Sequence, residues 1–395
     1  MTASVRRRIV LSAHTTPLFG EHFMKTRSQR FAPVAASVTC LAIAAACGMA
    51  STAHAAQYNL TIIPSPSVAN GINDSGTAVG SYNGAAFSYS GGVTTSIGVN
   101  NPLVFTSANA INSGGTVVGE AFNGTTEQAA IFTSTANIFL GSATYNSRAT
   151  AINAGGTIVG DARNSAAGYQ AVIFSATPGT PPTIIDAANS NATAINIGGT
   201  IVGVTSVANV NHAFSYTSSG GLKDLGTFGG TAGYANGIND SGTIVGDYAD
   251  SNGSAHAVSY ANGVVTSLDS SGTYAMSVAT AINNSGTIVG YAGAGPIGNT
   301  LPIAFVYSNG VLSNLNSLVS GLPGGESLVQ ATAINTNGDI VGFGNSGPDT
   351  AAFGFLLTPI PAGVAAPLPG SLPLLLMGTA GLGLALLAAK RRKAL

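Results

Sequence analysis

Charge is scarce in this chain: only 7% of its 395 residues are charged, and tryptophan is absent altogether. With so little charge beside 53 glycines and 45% hydrophobic residues, long solvent-facing helices are excluded, and many short strands and turns are expected. Cysteine occurs only as Cys40 and Cys47, both inside an apolar N-terminal run. The body therefore has no disulfide, no thiol nucleophile and no thiolate metal site. Basic residues are nearly confined to the two ends. Between them stand only Arg148, Arg163 and Lys223, against thirteen acidic residues from Asp74 to Asp349, a net charge of about −10. A body this acidic repels nucleic acid, whose binding needs a basic surface to displace counterions.

The two ends read as addresses. Residues 1–23 fit no signal pattern, so Met24 is a candidate true start. From there "MKTRSQR", Met24 to Arg30, is a basic opening, followed by the apolar run "VTCLAIAAACGMA" and by "AHA", Ala53 to Ala55. Basic region, short apolar core and A-x-A form a secretory signal peptide over 24–55, with cleavage after Ala55 and Ala56 as the first mature residue. A buried core helix is the plainer alternative. Cys47 does not suit a lipoprotein, because "AAAC" lacks the usual Leu three residues earlier. At the other end, a Pro-rich linker over 361–371 carries Pro367, Leu368 and Pro369. An uncharged apolar run of 18 residues follows, Leu372 to Ala389, then the cluster Lys390, Arg391, Arg392 and Lys393. The run is long enough to span a bilayer as a helix, and the basic stop in the tail over 390–395 would stay cytoplasmic. A plain membrane anchor is one reading of this tail.

The body is an array. Seven near-copies of one decapeptide begin at Gly71, Ala110, Ala151, Ala194, Gly237, Ala281 and Ala333, from "GINDSGTAVG" to "AINTNGDIVG", at separations of 39, 41, 43, 43, 44 and 52 residues. Periodicity of this size means a propeller or a solenoid. Each copy reads as a β-hairpin with Asn at the first turn position and Gly at the fourth, flanked by β-branched strand residues. Asn153 and Asn283 are accordingly turn formers rather than ligands. A looser motif follows each hairpin, as in "HAFSYTSSGGLKDLG" or "AFVYSNGVL", with alternating aromatics such as Phe214 and Tyr216, or Phe305 and Tyr307. Asn262-Gly263 and Asn309-Gly310 supply further hairpin turns.

Each unit thus holds four short strands, the content of one blade. The expectation is an all-β, seven-bladed β-propeller over 56–360, built from four-stranded repeats of about 43 residues, plus one C-terminal transmembrane helix. The last unit ends at "AAFGFLLTP" one strand short, whereas "YNLTII" near the start is one strand in excess. The N-terminal strand should therefore complete the last blade and remove exposed edges. An open β-solenoid is the alternative, and it would need no such match of ends.

Chemistry-bearing residues are few. Once the signal is removed only His212 and His256 remain, at equivalent repeat positions, which favours a structural role over catalysis or metal binding. Three basic residues cannot make the arginine cluster of a sialidase-type site. Carboxylates suffice in number for glycosidase work, but most lie in or beside turns. "DYADSNG", Asp247 to Gly253, is a fragment of a calcium loop without the full alternating set of ligands. No phosphate-binding Gly loop is present, since the Gly-rich stretches flank hairpins. No catalytic residue, cofactor or metal site is expected.

Two resemblances bear on function. The order Pro-Leu-Pro, apolar helix and basic cluster resembles the PEP-CTERM class of bacterial sorting signals, in its VPLPA variant, with Ala366 and Gly370 departing from that pattern. The resemblance implies processing by an exosortase-like membrane protease and a transient stay in the inner membrane. "HAFSYTSSGGLKDLGTFGG" at His212 to Gly230, and "LNSLVSGLPGGESLVQATAINTNGDIVG" at Leu315 to Gly342, resemble the HAF-repeat family of bacterial extracellular proteins. The expectation is an exported envelope or extracellular protein that acts as a non-catalytic binding or structural module. Its partner would be an extracellular polysaccharide or another surface protein. The alternative is a secreted carbohydrate-active enzyme, a glycosidase or lyase, on the same scaffold.

Overall fold

The structure, a computed structural model, describes residues 58–98, 105–122, 124–141, 144–164, 168–270, 272–293, 302–345, 347 and 352–361. Its local logic is set by the decapeptide. In the third copy, Gly156 sits at φ 83° and donates its N–H to the carbonyl of Asn153 at 3.0 Å. The Asn153 Oδ1 accepts from the N–H of Thr157 at 2.9 Å. This is the expected tight turn, closed from both sides by one asparagine.

Strands on either side of each turn pair antiparallel and continue into a second hairpin, giving four-stranded sheets in simple up-and-down order. The first six blades cover residues 67–96, 106–139, 147–184, 190–226, 232–267 and 276–314. The first strands of neighbouring blades touch one another all round the ring and are therefore innermost. Fourth strands are outermost and exposed, as at Val93, Val264 and Val311. Asn262 and Asn309 take φ 52°, as the expected Asn-Gly hairpins require.

The seventh blade is made from both ends of the chain. Strand Tyr58–Ile63 pairs antiparallel with Phe353–Pro359 over six positions, from Tyr58 opposite Pro359 to Ile63 opposite Gly354. Ile340–Asn345 and Ser327–Ile334 complete the sheet inward. The ring is closed, which excludes the open solenoid. One detail was not expected: a short fifth strand, Val319–Ser320, runs parallel to the N-terminal strand on its outer side, after a 3-10 turn at Leu315–Ser317. It comes from the longest repeat separation, 52 residues.

The core is divided into layers between blades. Val118 of the second blade packs with Ile158 and Phe174 of the third, and Val341 of the seventh with Ile63, Ala69 and Phe87 across the closure. Phe87, Phe214, Phe305 and Phe355 are almost wholly buried, each such side chain contributing about 1.5–3 kcal/mol of apolar burial. Among the described residues no helix is long and apolar enough to cross a membrane. The transmembrane helix expected at Leu372 to Ala389 lies outside the described residues, as do the signal peptide and its cleavage site.

Candidate functional site at the inner ring

The innermost strands carry two closed circuits of hydrogen bonds. In the first, the Nδ2 of each turn asparagine donates to the backbone carbonyl of the next blade's asparagine. The series runs Asn73, Asn112, Asn153, Asn196, Asn239, Asn283, Asn335 and back to Asn73, at 3.0–3.3 Å. All seven are at most 8% exposed. One carboxamide thus closes its own turn through oxygen and locks the next blade through nitrogen. Turn chemistry foretells the first bond and not the second.

The second circuit depends on a β-bulge. In every first strand the register slips just after the alanine common to the repeats, as between Ala149 and Ala151, and the seventh slips once more between Leu328 and Gln330. The bulged residues are Asn70, Asn109, Thr150, Thr193, Asn236, Thr280 and Thr332. Each donates a side-chain hydrogen to the next blade's alanine carbonyl, in order Ala108, Ala149, Ala192, Ala235, Ala279, Ala331 and Ala69, at 2.6–3.0 Å. A bulge re-aims a side chain, and here it turns one polar group per blade toward its neighbour. It also brings backbone close to the opposing strand. A Cβ at Gly80, Gly119, Gly160, Gly203, Gly246, Gly290 or Gly342 would stand 1.9–2.0 Å from a carbonyl oxygen. That is why each decapeptide ends in glycine.

At the turn end, the ring opens into a cavity of about 490 Å³ lined by the seven Ile-Asn pairs and by Asp74 and Asp240. Both aspartates are engaged by the adjacent blade: Asp74 Oδ1 accepts from the Thr336 N–H and Asp240 Oδ1 from the Ile197 N–H, each at 3.0 Å.

Toward the opposite end, one residue before the alanine that precedes each bulge, the repeats stop matching. The positions read Val68, Ser107, Arg148, Asn191, Tyr234, Val278 and Gln330. Their cross-strand partners, each just after the repeat's final glycine, are Ser81, Glu120, Asp161, Val204, Asp247, Tyr291 and Phe343. Here lie the strongest electrostatics among the described residues. Arg148 donates from Nε and Nη2 to Asp161 Oδ1 at 3.1 and 2.8 Å, and Glu120 Oε2 of the preceding blade lies 4.0 Å from its Nε. Asp161 is fully buried. Burial pushes the carboxyls of both Glu120 and Asp161 upward, against the pull of Arg148. Glu120 Oε2, Asp161 Oδ2 and Asn191 Oδ1 are buried without a hydrogen-bond partner. In the fifth blade, burial raises Asp247 to about 6, with Asn236 Nδ2 donating to it at 3.0 Å.

The histidines lie elsewhere. His212 Nδ1 sits 2.9 Å from Asp224 Oδ2 on the outer strand of its blade, and His256 Nε2 lies 3.2 Å from Asp250 Oδ2 with its ring 5.2 Å from that of Tyr248. Asp250 closes its own loop, accepting from the N–H groups of Asn252 and Ser254 at 2.8 and 2.9 Å, while Asp247 of the same stretch is buried at the inner ring. The sequence "DYADSNG" therefore does not converge its carboxylates on one point. Among the described residues no group of three His, Cys, Asp or Glu could hold a metal ion. The cleavage residues Ala53, Ala55 and Ala56, the sorting residues Pro367, Leu368 and Pro369, and the basic stop Lys390, Arg391, Arg392 and Lys393 lie outside the described residues.

No protein-family model matches the chain, and no curated protein sequence matches it. Among solved structures, a chain described as TolB from Agrobacterium tumefaciens is 10% identical, with a TM-score of 0.42, covering 75% of this chain and 91% of its own.

Proposed function

We propose that this is an exported bacterial envelope or extracellular protein whose propeller is a non-catalytic binding module. Export is supported by the basic start, apolar run and A-x-A over 24–55. Delivery through an exosortase-like protease, with a transient inner-membrane stage, is supported by the Pro367-Leu368-Pro369 tail and the resemblance it carries. The observation that carries the binding reading is the division of labour on the inner strands. Polar residues repeated in all seven blades are spent on holding the ring, and polar residues that differ between blades are gathered at one level. A secreted glycosidase would need carboxylates that substrate can reach, and the free oxygens of Glu120 and Asp161 are shut off from solvent.

Glycan-array binding by residues 56–360, together with turnover assays on glycoside, ester and peptide substrates, tests the reading. Binding without turnover is expected. Robust turnover abolished by one carboxylate substitution would establish the enzyme instead. Mass spectrometry of the exported protein should place its N-terminus at Ala56.

A further inference from the structure

Seven repeats within one chain act as an alignment of the chain with itself. Along the first strand, the residue before the bulge is alanine in every blade, from Ala69 to Ala331, and the residue three further on is isoleucine, from Ile72 to Ile334. The residue before that alanine runs through Val, Ser, Arg, Asn, Tyr, Val and Gln, and its cross-strand partner varies with it. A packing position would have kept one solution, as its neighbours did. Arg148 is exposed and Asn191, Tyr234 and Gln330 are partly exposed, all on the innermost strands, and the Tyr234 hydroxyl accepts from Asn211 Nδ2 at 2.9 Å. The side chain of Arg148 is half-exposed and two of its N–H groups are held by Asp161, which fixes the orientation of its remaining donors.

An independent observation points to the same level. Buried polar atoms are nearly always paired, yet Glu120 Oε2, Asp161 Oδ2 and Asn191 Oδ1 lack donors, and they occur at this level in three successive blades. Above these buried oxygens the level presents a positioned guanidinium, the Gln330 carboxamide and the Tyr234 ring. Resting on the binding reading above, we propose that the channel end opposite the asparagine circuit binds a neutral glycan unit. Arg148 and Gln330 would donate to sugar oxygens, and Tyr234 would offer a ring face. A hydroxyl both donates and accepts, which matches this mixed lining. A basic peptide would meet Arg148, and a polyanion would meet the acidic body.

The test is titration calorimetry of residues 56–360, whose ring closes through its own first and last strands. The probes are the best neutral oligosaccharide from the array and a lysine-rich peptide. R148K keeps the cation that Glu120 and Asp161 require while losing the fork; Q330A and Y234A alter the other side of the level; K223Q is an outer-strand control. A tenfold or greater loss of oligosaccharide affinity in R148K and in Q330A, with K223Q unchanged and melting curves preserved, is expected. Wild-type affinity in R148K, Q330A and Y234A would overturn the inner-ring site and leave the module reading standing. Peptide binding in place of sugar binding would overturn the glycan class. No binding of any probe would overturn both.

Discussion

The Nδ2 of Asn335 donates to the carbonyl of Asn73 at 3.0 Å, joining residues 262 positions apart with the same bond that links blades 39 residues apart. The inner ring thus closes by repetition rather than by a special device. The outer part of the closure is different in kind, because it needs the separate strand Tyr58–Ile63.

An asparagine of the circuit should be irreplaceable by its nearest isostere. Asn196→Asp keeps the oxygen that accepts from Thr200 but places a carboxylate against the carbonyl of Asn239. A loss of about 1–3 kcal/mol is expected, read by urea denaturation at neutral pH. Serine in its place should also cost stability, since it cannot span to the next blade. Full stability in both variants would remove the circuit from the account of the fold.

Two glycines of one decapeptide should respond differently. Gly290→Ala would put a Cβ 2.0 Å from the Val278 carbonyl and 2.9 Å from the Phe305 ring, so a loss of about 3 kcal/mol is expected. Gly286→Ala meets open space at φ 83° and should cost only the left-handed strain, about 1–2 kcal/mol. The order of the two midpoints checks the bulge.

Removal of Tyr58 to Ile63 should expose the backbone edge of Phe353–Pro359. Lower thermal stability and concentration-dependent association are expected, because an unpaired edge is a template for another chain. Light scattering and melting of the truncated ring test this. A monomer with an unchanged transition would mean that this strand does not hold the ring.

Asp247 makes a pH signature. Its carboxyl is raised to about 6 by burial, above its unfolded value of 3.8, so between those values the native state binds more protons than the unfolded one. Stability from this group is therefore greatest in acid, falls as pH rises through that window, and is level above it. Asp247→Asn retains an oxygen for Asn236 and should flatten the curve, gaining up to about 3 kcal/mol at pH 7. Chemical denaturation from pH 4 to 8 for both proteins measures it. A parallel pair of curves would assign the pH dependence elsewhere.

For the tail, Pro367→Ala with Pro369→Ala should trap an uncut form in the inner membrane. Wild-type protein that keeps Leu395 at steady state would instead identify a permanent anchor.

The blade count, the hairpin at each decapeptide and the completion of the last blade by the first strand were legible, because spacing and turn chemistry are local quantities. What was hidden is what crosses between blades. Asn153 reads as a turn former, and its oxygen is one, but nothing near it in sequence shows that its nitrogen reaches Asn196. Nothing local explains the terminal glycine of each copy, which at Gly203 answers a bulge on the partner strand and the approach of the Asn191 carbonyl. His212 and His256 were legible as equivalents, and their different partners follow from unequal loops. The inner-ring column carries a signal only when the repeats are set side by side: Arg148 stands where no two adjacent repeats agree.

Because each blade gives the next the same donors and receives the same acceptors, the units are interchangeable in their bonding. The circuits link residues 39 to 52 apart without alteration, so insertions fall outside the inner strands and leave the linkage intact. Such a ring can grow by copying a segment of the gene, and each copy arrives already able to dock. Only the variable residue before the inner-strand alanine and its cross-strand partner then have to change for a copied blade to acquire an individual role.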